Sequence, residues 1–191
     1  MLLYSHRINS ISKLEETNCE NGVEFDIRSN GEDLYLHHDA FGKGELFSDW
    51  LNHFDHAGMI VNTKCEGMEE KIIGMLHNKH IENYFLLDMS LPFMVKWMKK
   101  GFTKMAVRHS KYEPIEYTMK FAGCAEWVWV DCFDGEAADR KILEELKRHF
   151  KVCIVSPELQ GYPIDLIEVF KDKWKNIELD GVCTKHPENW N

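Results

Sequence analysis

Two acidic residues lie two positions apart inside an apolar, strand-like segment near the start of the chain. The segment VEFDI (23–27) places Glu24 and Asp26 on one face, because alternate residues of a β-strand share a face. Unpaired carboxylates are costly to bury, so cations must lie close to this pair. Carboxylate and amide oxygens suit hard divalent ions, and we therefore expect Glu24, Asp26 and Asn62 to bind Mg²⁺ or Ca²⁺.

The same acidic pair has a second interpretation that involves no metal. Arg7 follows the first strand-like segment and Lys64 ends the third. Their side chains could form ion pairs with Glu24 and Asp26 in a network that joins the strand ends. Residue spacing alone does not distinguish this network from a metal site, and both interpretations remain open.

Two histidines are candidates for acid–base chemistry. Imidazole titrates near neutral pH and can either take up or release a proton. His6 follows the first strand-like segment, and His38 ends the segment DLYLHH. His37 should point away from His38 by strand alternation. Which of the two candidates would act as acid and which as base stays open.

Eight short β-rich segments alternate with helical segments along the chain. The strands are predicted at 2–6, 23–27, 59–64, 84–89, 104–109, 127–133, 151–156 and 180–185, and the helices at 66–80, 91–102, 138–150 and 164–176. This alternation predicts a (β/α)8 TIM barrel, trimmed relative to the ~250 residues typical of that fold. An open doubly wound sheet is the alternative, but no Gly-x-Gly-x-x-Gly turn follows the first strand.

One further strand-like segment, at 33–38, follows the second strand after the turn sequence SNGE. It predicts a short β-hairpin extension that carries His38 back toward the end of the second strand. Function in a barrel collects at the carboxyl ends of the strands. Polar residues lie at these ends, and the later ones are Asp88, Arg108, Asp131, Glu158 and Lys185.

Length and charge limit the classes of function. A chain of 191 residues predicts a single domain, 1–191. The formal net charge of −9 argues against a nucleic-acid partner, because such proteins need a basic face. A small anion can still bind where a few cations converge, and we expect Arg7, Lys64 and Arg108 to form such a substrate site.

Cysteine usage and hydropathy bear on location. The six cysteines contain no Cys-x-x-Cys pair, which favours free thiols and a cytoplasmic protein. No segment approaches the ~18 apolar residues of a membrane-spanning helix, so we expect no membrane partner. The sequence does not indicate an oligomeric state.

The chain resembles the glycerophosphodiester phosphodiesterase family, within the phospholipase C-like phosphodiesterase barrels. The resemblance covers nearly the whole chain and is most specific in the first forty residues. Its motifs are His6-Arg7, Glu24-Phe25-Asp26, His38-Asp39, Lys64 and the closing DGVCTKHP at 180–187.

This resemblance implies a phosphoric diester hydrolase of lipid metabolism that acts on a small glycerophosphodiester-like molecule. It implies that His6 and His38 are the general acid and base, and that Glu24 and Asp26 bind a divalent metal ion. The physical argument agrees, because cleavage of a phosphodiester places negative charge on nonbridging oxygens, which a metal and fixed cations stabilise.

Three departures from the family pattern support other hypotheses. Asn62 occupies the usual acidic position two residues before Lys64, Ile8 replaces the usual Gly after His-Arg, and large substrate-binding insertions are missing. A non-catalytic relative that binds a phosphorylated ligand is the first alternative. A barrel isomerase or aldolase, with Lys64 as a Schiff-base amine, is the second.

Overall fold

The computed structural model describes all residues, 1–191, and contains nine β-strands. The strands are β1 (Leu2–Ser5), β2 (Gly22–Asn30), β3 (Asp33–Leu36), β4 (Met59–Thr63), β5 (Tyr84–Leu87), β6 (Ala106–His109), β7 (Trp127–Val130), β8 (Lys151–Val155) and β9 (Gly181–Thr184). Eight of them are parallel and form a barrel in the order β5-β4-β2-β1-β9-β8-β7-β6, while β3 pairs with β2. The predicted (β/α)8 TIM barrel is confirmed.

Seven α-helices connect the strands. They are α1 (Ile11–Glu16), α2 (Phe47–Leu51), α3 (Glu69–Asn78), α4 (Leu91–Lys99), α5 (Ile115–Thr118), α6 (Arg140–Lys147) and α7 (Leu166–Lys173). The four predicted helices correspond to α3, α4, α6 and α7. Only a 3-10 turn, Pro187–Asn189, follows β9, as expected for a trimmed barrel. None of the helices has the length and apolar character needed to cross a membrane.

Very little backbone pairing closes the barrel between β5 and β6. Backbone pairing at this seam consists of one bridge, Leu86 to Met105, where the Leu86 N–H donates to the Lys104 carbonyl at 3.0 Å. By contrast, β2 and β4 pair from Val23–Met59 through Ile27–Thr63. The seam is therefore the part of the barrel with the least backbone hydrogen bonding.

Apolar side chains fill the inside of the barrel. Tyr4 lies there against Gly22 and Gly181, where an added Cβ would lie 2.4 and 2.9 Å from its ring. Phe85 and Trp127 stack with ring centroids 4.5 Å apart. This packing fills the interior below the carboxyl ends of the strands, so the barrel is a packed core and not a pore.

The predicted hairpin extension is confirmed. Strand β2 continues to Asn30 and pairs antiparallel with β3, from Ile27–Leu36 to Asn30–Asp33. Gly31 in the turn has φ 64°, a left-handed conformation that glycine adopts readily. The hairpin returns the chain to the carboxyl end of the barrel.

Candidate active site

A cavity of about 300 Å³ opens at the carboxyl ends of the barrel strands. Seven strands or the loops that follow them contribute to its wall, and β2 lies behind Asn62. Its charged and titratable lining residues are His6, Arg7, Asp88, Arg108, Asp131 and Lys185. Apolar residues such as Trp129 and Leu159 form the rest of the wall. Of the predicted site residues, the cavity brings together His6, Arg7, Asn62 and Arg108. The others, Glu24, Asp26, His38 and Lys64, do not line it.

The acidic pair of β2 points into the barrel. Val23, Phe25 and Ile27 pack in the apolar layer outside the barrel, so the alternating Glu24 and Asp26 face inward. Both carboxylates are only 1% exposed. The expectation that they share one buried face is met by the structure.

Glu24 accepts two hydrogen bonds. Its Oε1 accepts from the Asn62 side-chain amide at 3.0 Å, and its Oε2 accepts from the backbone N–H of Arg7 at 2.8 Å. The His6 Nε2 lies 3.8 Å from the same Oε2. Burial, and the nearby charge of Asp26, raise the pKa of Glu24 to about 7. The carboxylate therefore lacks sufficient positive charge around it.

Asp26 has more partners than Glu24. Its Oδ2 accepts from the Asn9 amide at 2.8 Å, and Asn9 Oδ1 accepts from the Asp26 backbone N–H, also at 2.8 Å. The Lys64 ammonium lies 3.3 Å from Oδ1, and the Arg7 Nε lies 4.0 Å from Oδ2. Sequence reasoning missed Asn9, although its place three residues after His6 in the first strand-end loop was a usable signal.

His6 combines burial with an unpartnered nitrogen. Its backbone N–H donates to the Thr184 carbonyl at 3.0 Å, whereas the buried ring Nδ1 has no hydrogen-bond partner. Burial, with the positive charges of Arg7 and Lys185, lowers the pKa of His6 to about 3. Burial and these two cations therefore keep the imidazole in its neutral form at neutral pH.

Arg7 has a left-handed backbone, with φ 57°. Non-glycine residues seldom adopt this conformation, and such residues are often found at functional sites. The turn lets the backbone N–H of Arg7 bind Glu24 while its side chain lines the cavity. A hydrogen bond from the Arg7 main chain thus connects Arg7 with Glu24, two predicted site residues.

His38 lies at the same end of the barrel, outside the cavity wall. Arg28 fixes its position by donating to the His38 carbonyl from Nη2 at 2.7 Å and from Nε at 3.2 Å. The ring Nδ1 is 2.7 Å from Asp39 Oδ1, which leaves Nε2 free for other contacts. The His38 side chain is 40% exposed.

Ion pairs cover the opposite side of the cavity. The Arg108 guanidinium pairs with Asp88 and Asp131, and its Nε lies 3.7 Å from Glu113. Lys64 connects this group to the acidic pair, because its ammonium is also 3.5 Å from Asp88. Arg108, predicted to bind substrate, lines the cavity, but three carboxylates already surround its charge.

The side chains at and beside Glu24 carry several oxygen atoms that are possible metal ligands. Asn62 is 8% exposed, and its Oδ1 is buried without a hydrogen-bond partner. Two carboxylates and a free amide oxygen suit a hard divalent ion. No group of three His, Cys, Asp or Glu side chains converges as a metal-binding set. Oxygen donors of the kind that Glu24, Asp26 and Asn62 carry suit Mg²⁺ or Ca²⁺ in type, and in the structure the Asn62 amide nitrogen is the atom that faces Glu24.

The ion pairs of the alternative interpretation are also present in part. Lys64 pairs with Asp26, and Arg7 lies at the limit of an ion-pair distance from the same residue. Glu24 has no Lys or Arg side chain in ion-pair contact. The network thus neutralises Asp26 and leaves Glu24 as the residue that still requires a cation.

Comparison with known proteins supports the fold. No protein-family profile matches the sequence, and no curated protein matches it. Solved structures do match. One, from Agrobacterium tumefaciens and assigned to the glycerophosphoryl diester phosphodiesterases, has a TM-score of 0.73 at 13% identity over 98% of this chain and 94% of its own.

Two further structures agree with the first. A glycerophosphodiester phosphodiesterase of the same organism has a TM-score of 0.69 at 12% identity, over 100% of this chain and 97% of its own. A glycerophosphoryl diester phosphodiesterase of Parabacteroides distasonis has a TM-score of 0.67 at 12% identity, over 98% and 84%. The chain therefore has the barrel fold of these phosphodiesterases, and the resemblance seen in its sequence is confirmed at the level of the fold.

Proposed function

We propose that this protein is a metal-dependent phosphodiesterase that hydrolyses a small, glycerophosphodiester-like molecule. The shared fold supports this proposal. The observation that carries it is the buried Glu24 carboxylate, which accepts from the Asn62 amide nitrogen and lies 3.8 Å from the His6 imidazole, with no Lys or Arg side chain in ion-pair contact. Asn62 Oδ1 and His6 Nδ1 are buried without hydrogen-bond partners, which is costly unless a ligand completes them.

The balance of charge at the cavity supports both a divalent ion and a diester. Five carboxylates and four cations line the cavity or form ion pairs with the residues that line it. They are the carboxylates Glu24, Asp26, Asp88, Glu113 and Asp131, and the cations Arg7, Lys64, Arg108 and Lys185. One negative charge is in excess when all are ionised. A bound divalent ion would reverse this excess, and the single charge of a phosphodiester would then neutralise the site.

The two histidines have different roles in the proposed reaction. His6 is neutral and can accept the proton of the attacking hydroxyl, which belongs to the substrate or to water. His38, which is hydrogen-bonded to Asp39, would give a proton to the leaving oxygen. A metal held by Glu24, Asp26 and Asn62 would offset charge on the phosphoryl oxygens.

The cations Arg7 and Lys64 would bind the phosphate in this reaction. The Arg7 side chain is 45% exposed and lines the cavity. Lys64 lies between Asp26 and Asp88, directly beside the proposed metal ligands. Their charges would act on nonbridging oxygens, where negative charge grows during cleavage.

The assay uses bis(p-nitrophenyl) phosphate and glycerophosphodiesters with Mg²⁺, Ca²⁺ or Mn²⁺ and after chelation. We expect turnover only with a divalent ion, and loss of turnover in both His6→Ala and His38→Ala. Turnover that persists in the two variants would disprove the roles given to the histidines. Turnover that persists after chelation would disprove the requirement for a metal ion.

A non-catalytic relative remains the second candidate, since Asn62 supplies a neutral ligand where the family usually has an acid. Calorimetry that shows binding of a phosphorylated ligand, together with no turnover of any diester, would favour it. The Schiff-base alternative is poorly supported. Lys64 lies between Asp26 and Asp88, and an ammonium held in two ion pairs is a poor nucleophile.

The cytoplasm is the proposed location of this activity. All six cysteines are free thiols, and Cys132, Cys153 and Cys183 are buried. Burial raises the pKa of the Cys132 thiol to about 12, so it is neutral and unreactive at neutral pH. Free thiols of this kind are common in reducing compartments.

A further inference from the structure

The cations at the cavity differ in how strongly neighbouring groups hold them. Lys64 lies within 3.5 Å of two carboxylates, and Arg108 contacts three. Lys185 also lines the cavity, but its ammonium forms no ion pair and no hydrogen bond. Its charge is therefore the one most available to an incoming anion.

The backbone of Lys185 is fixed although its ammonium is free. Its N–H donates to Glu158 Oε1 at 3.0 Å, and the same oxygen accepts from the Thr184 hydroxyl at 2.6 Å. The Thr184 Oγ1 in turn accepts from the His186 N–H at 2.9 Å. These bonds hold the start of the loop after β9, so the side chain leaves from a defined point.

Lys185 is also close to the proposed chemistry. Strands β1 and β9 are neighbours, and the His6 N–H donates to the carbonyl of Thr184, the residue before Lys185. His6 and Lys185 both line the cavity of about 300 Å³. Both also border a polar groove of about 610 Å³ outside β1 and β9. An anion beside the His6 ring is therefore within reach of the Lys185 ammonium.

We propose that Lys185, rather than Arg108, supplies the additional cation that binds the substrate phosphate. Lys185 contacts a nonbridging oxygen of the phosphoryl group, and Arg108 holds Asp88 and Asp131 in place. This inference rests on the proposed phosphodiesterase function. It adds a binding residue that sequence reasoning left among the unassigned strand-end residues.

The test compares Lys185→Ala and Lys185→Arg with the control Lys120→Ala, which removes an exposed lysine from the outside of the barrel. Calorimetry measures the Kd of inorganic phosphate in the presence of Mg²⁺. Steady-state kinetics with bis(p-nitrophenyl) phosphate measure KM and kcat.

For Lys185→Ala we expect Kd and KM to rise about tenfold, the effect of one charge-assisted hydrogen bond. The kcat should fall as well, because negative charge on the nonbridging oxygen grows in the transition state and the contact with Lys185 then strengthens. Lys185→Arg should recover most of the loss, and Lys120→Ala should resemble the wild type.

A Kd for phosphate that changes less than twofold in Lys185→Ala would overturn the assignment, and so would an equal loss in Lys120→Ala. Wild-type protein that binds phosphate but hydrolyses no diester would contradict the proposed function. In that case the calorimetric comparison would still decide the role of Lys185, because it needs no turnover. The two failures are thus distinguishable.

Discussion

The two sides of the cavity differ in how far their polar and charged groups have partners. On the side of β1, β2 and β4, Glu24 is buried with a raised pKa, and the Nδ1 of His6 and the Oδ1 of Asn62 have no partner. On the side of β5, β6 and β7, Arg108 pairs with Asp88 and Asp131. One side has unsatisfied groups, and the other is saturated.

The side with unsatisfied groups therefore bears on catalysis, and the saturated side bears on stability. Buried polar groups without partners reduce the free energy of unfolding. Among the residues that line the cavity, the two such atoms, His6 Nδ1 and Asn62 Oδ1, lie on the same side, which indicates a ligand site there. The saturated side lies across the seam between β5 and β6, where a single backbone bridge closes the barrel. The pair of Arg108 with Asp88 joins these two strands. Substitutions on the two sides should therefore affect different measurements.

The largest effect is expected for His6→Ala. Loss of the proton acceptor should lower kcat about 10³-fold, within the usual range of general acid–base catalysis. The control is His109→Ala, which removes another buried imidazole with an unpartnered Nδ1, on a residue that does not line the cavity. Steady-state kinetics should show near-normal kcat for the folded control. An equal loss in both variants would contradict the division of the cavity.

Arg108→Met should affect stability more than activity. It leaves Asp131 without a cation and Asp88 with Lys64 alone, and we expect the free energy of unfolding to fall by about 3 kcal/mol. Urea denaturation measures this change. Lys111→Met breaks an exposed ion pair with Asp134 and should leave the free energy of unfolding nearly unchanged, because water screens such pairs. If Arg108→Met instead left stability unchanged and weakened phosphate binding, Arg108 would belong to the substrate site.

The pH dependence of stability should show the titration of the Glu24 carboxyl group. Its pKa is raised to about 7 in the folded protein, so the unfolded chain releases this proton at lower pH. Stability of the metal-free protein should therefore fall as pH rises from about 4.5 to 7. Glu24→Gln should remove this decline and be about 2 kcal/mol more stable at pH 8 than the metal-free wild type.

The measurement for Glu24 is a series of denaturation curves from pH 5 to pH 8 with and without Mg²⁺. His6, with its lowered pKa, contributes the opposite slope, because its stabilisation is lost as pH falls from about 6.5 toward 3. The comparison of wild type with Glu24→Gln cancels this term. Parallel curves for the two proteins would show that Glu24 is not the group concerned.

The smallest effect is expected for Asn62→Asp. A third carboxylate should raise metal affinity about tenfold, because ligand charge tunes affinity for hard ions. The same change should lower the stability of the metal-free protein, since like charges would crowd Glu24. Calorimetric titration with Mg²⁺ or Ca²⁺ measures the affinity. A decrease in affinity would place the ion elsewhere in the cavity.

Periodic patterns made most of the fold predictable. Eight alternating strands and four amphipathic helices are visible in the sequence, and Gly31 marks the hairpin. The helices α1, α2 and α5 contain only four to six residues, too few to show a helical period. The position of the seam depends on pairing between strands distant in sequence, which no local pattern encodes.

The candidate site was predictable in its residue types and less so in its partners. The alternation in β2 places Glu24 and Asp26 inside the barrel, and strand ends bring His6, Lys64 and Arg108 together. Sequence could not show that Arg108 is surrounded by carboxylates, because those come from three other segments. The number of charges that meet around one atom is a property of the folded chain.

The single bridge between β5 and β6 also suggests how this molecule moves. If the Leu86–Lys104 hydrogen bond opens, the remaining strands still form one continuous sheet from β5 to β6. The barrel can then unroll slightly without losing any other strand pair. The Leu86 amide should exchange its hydrogen with solvent sooner than the amides in the middle of β2 and β4.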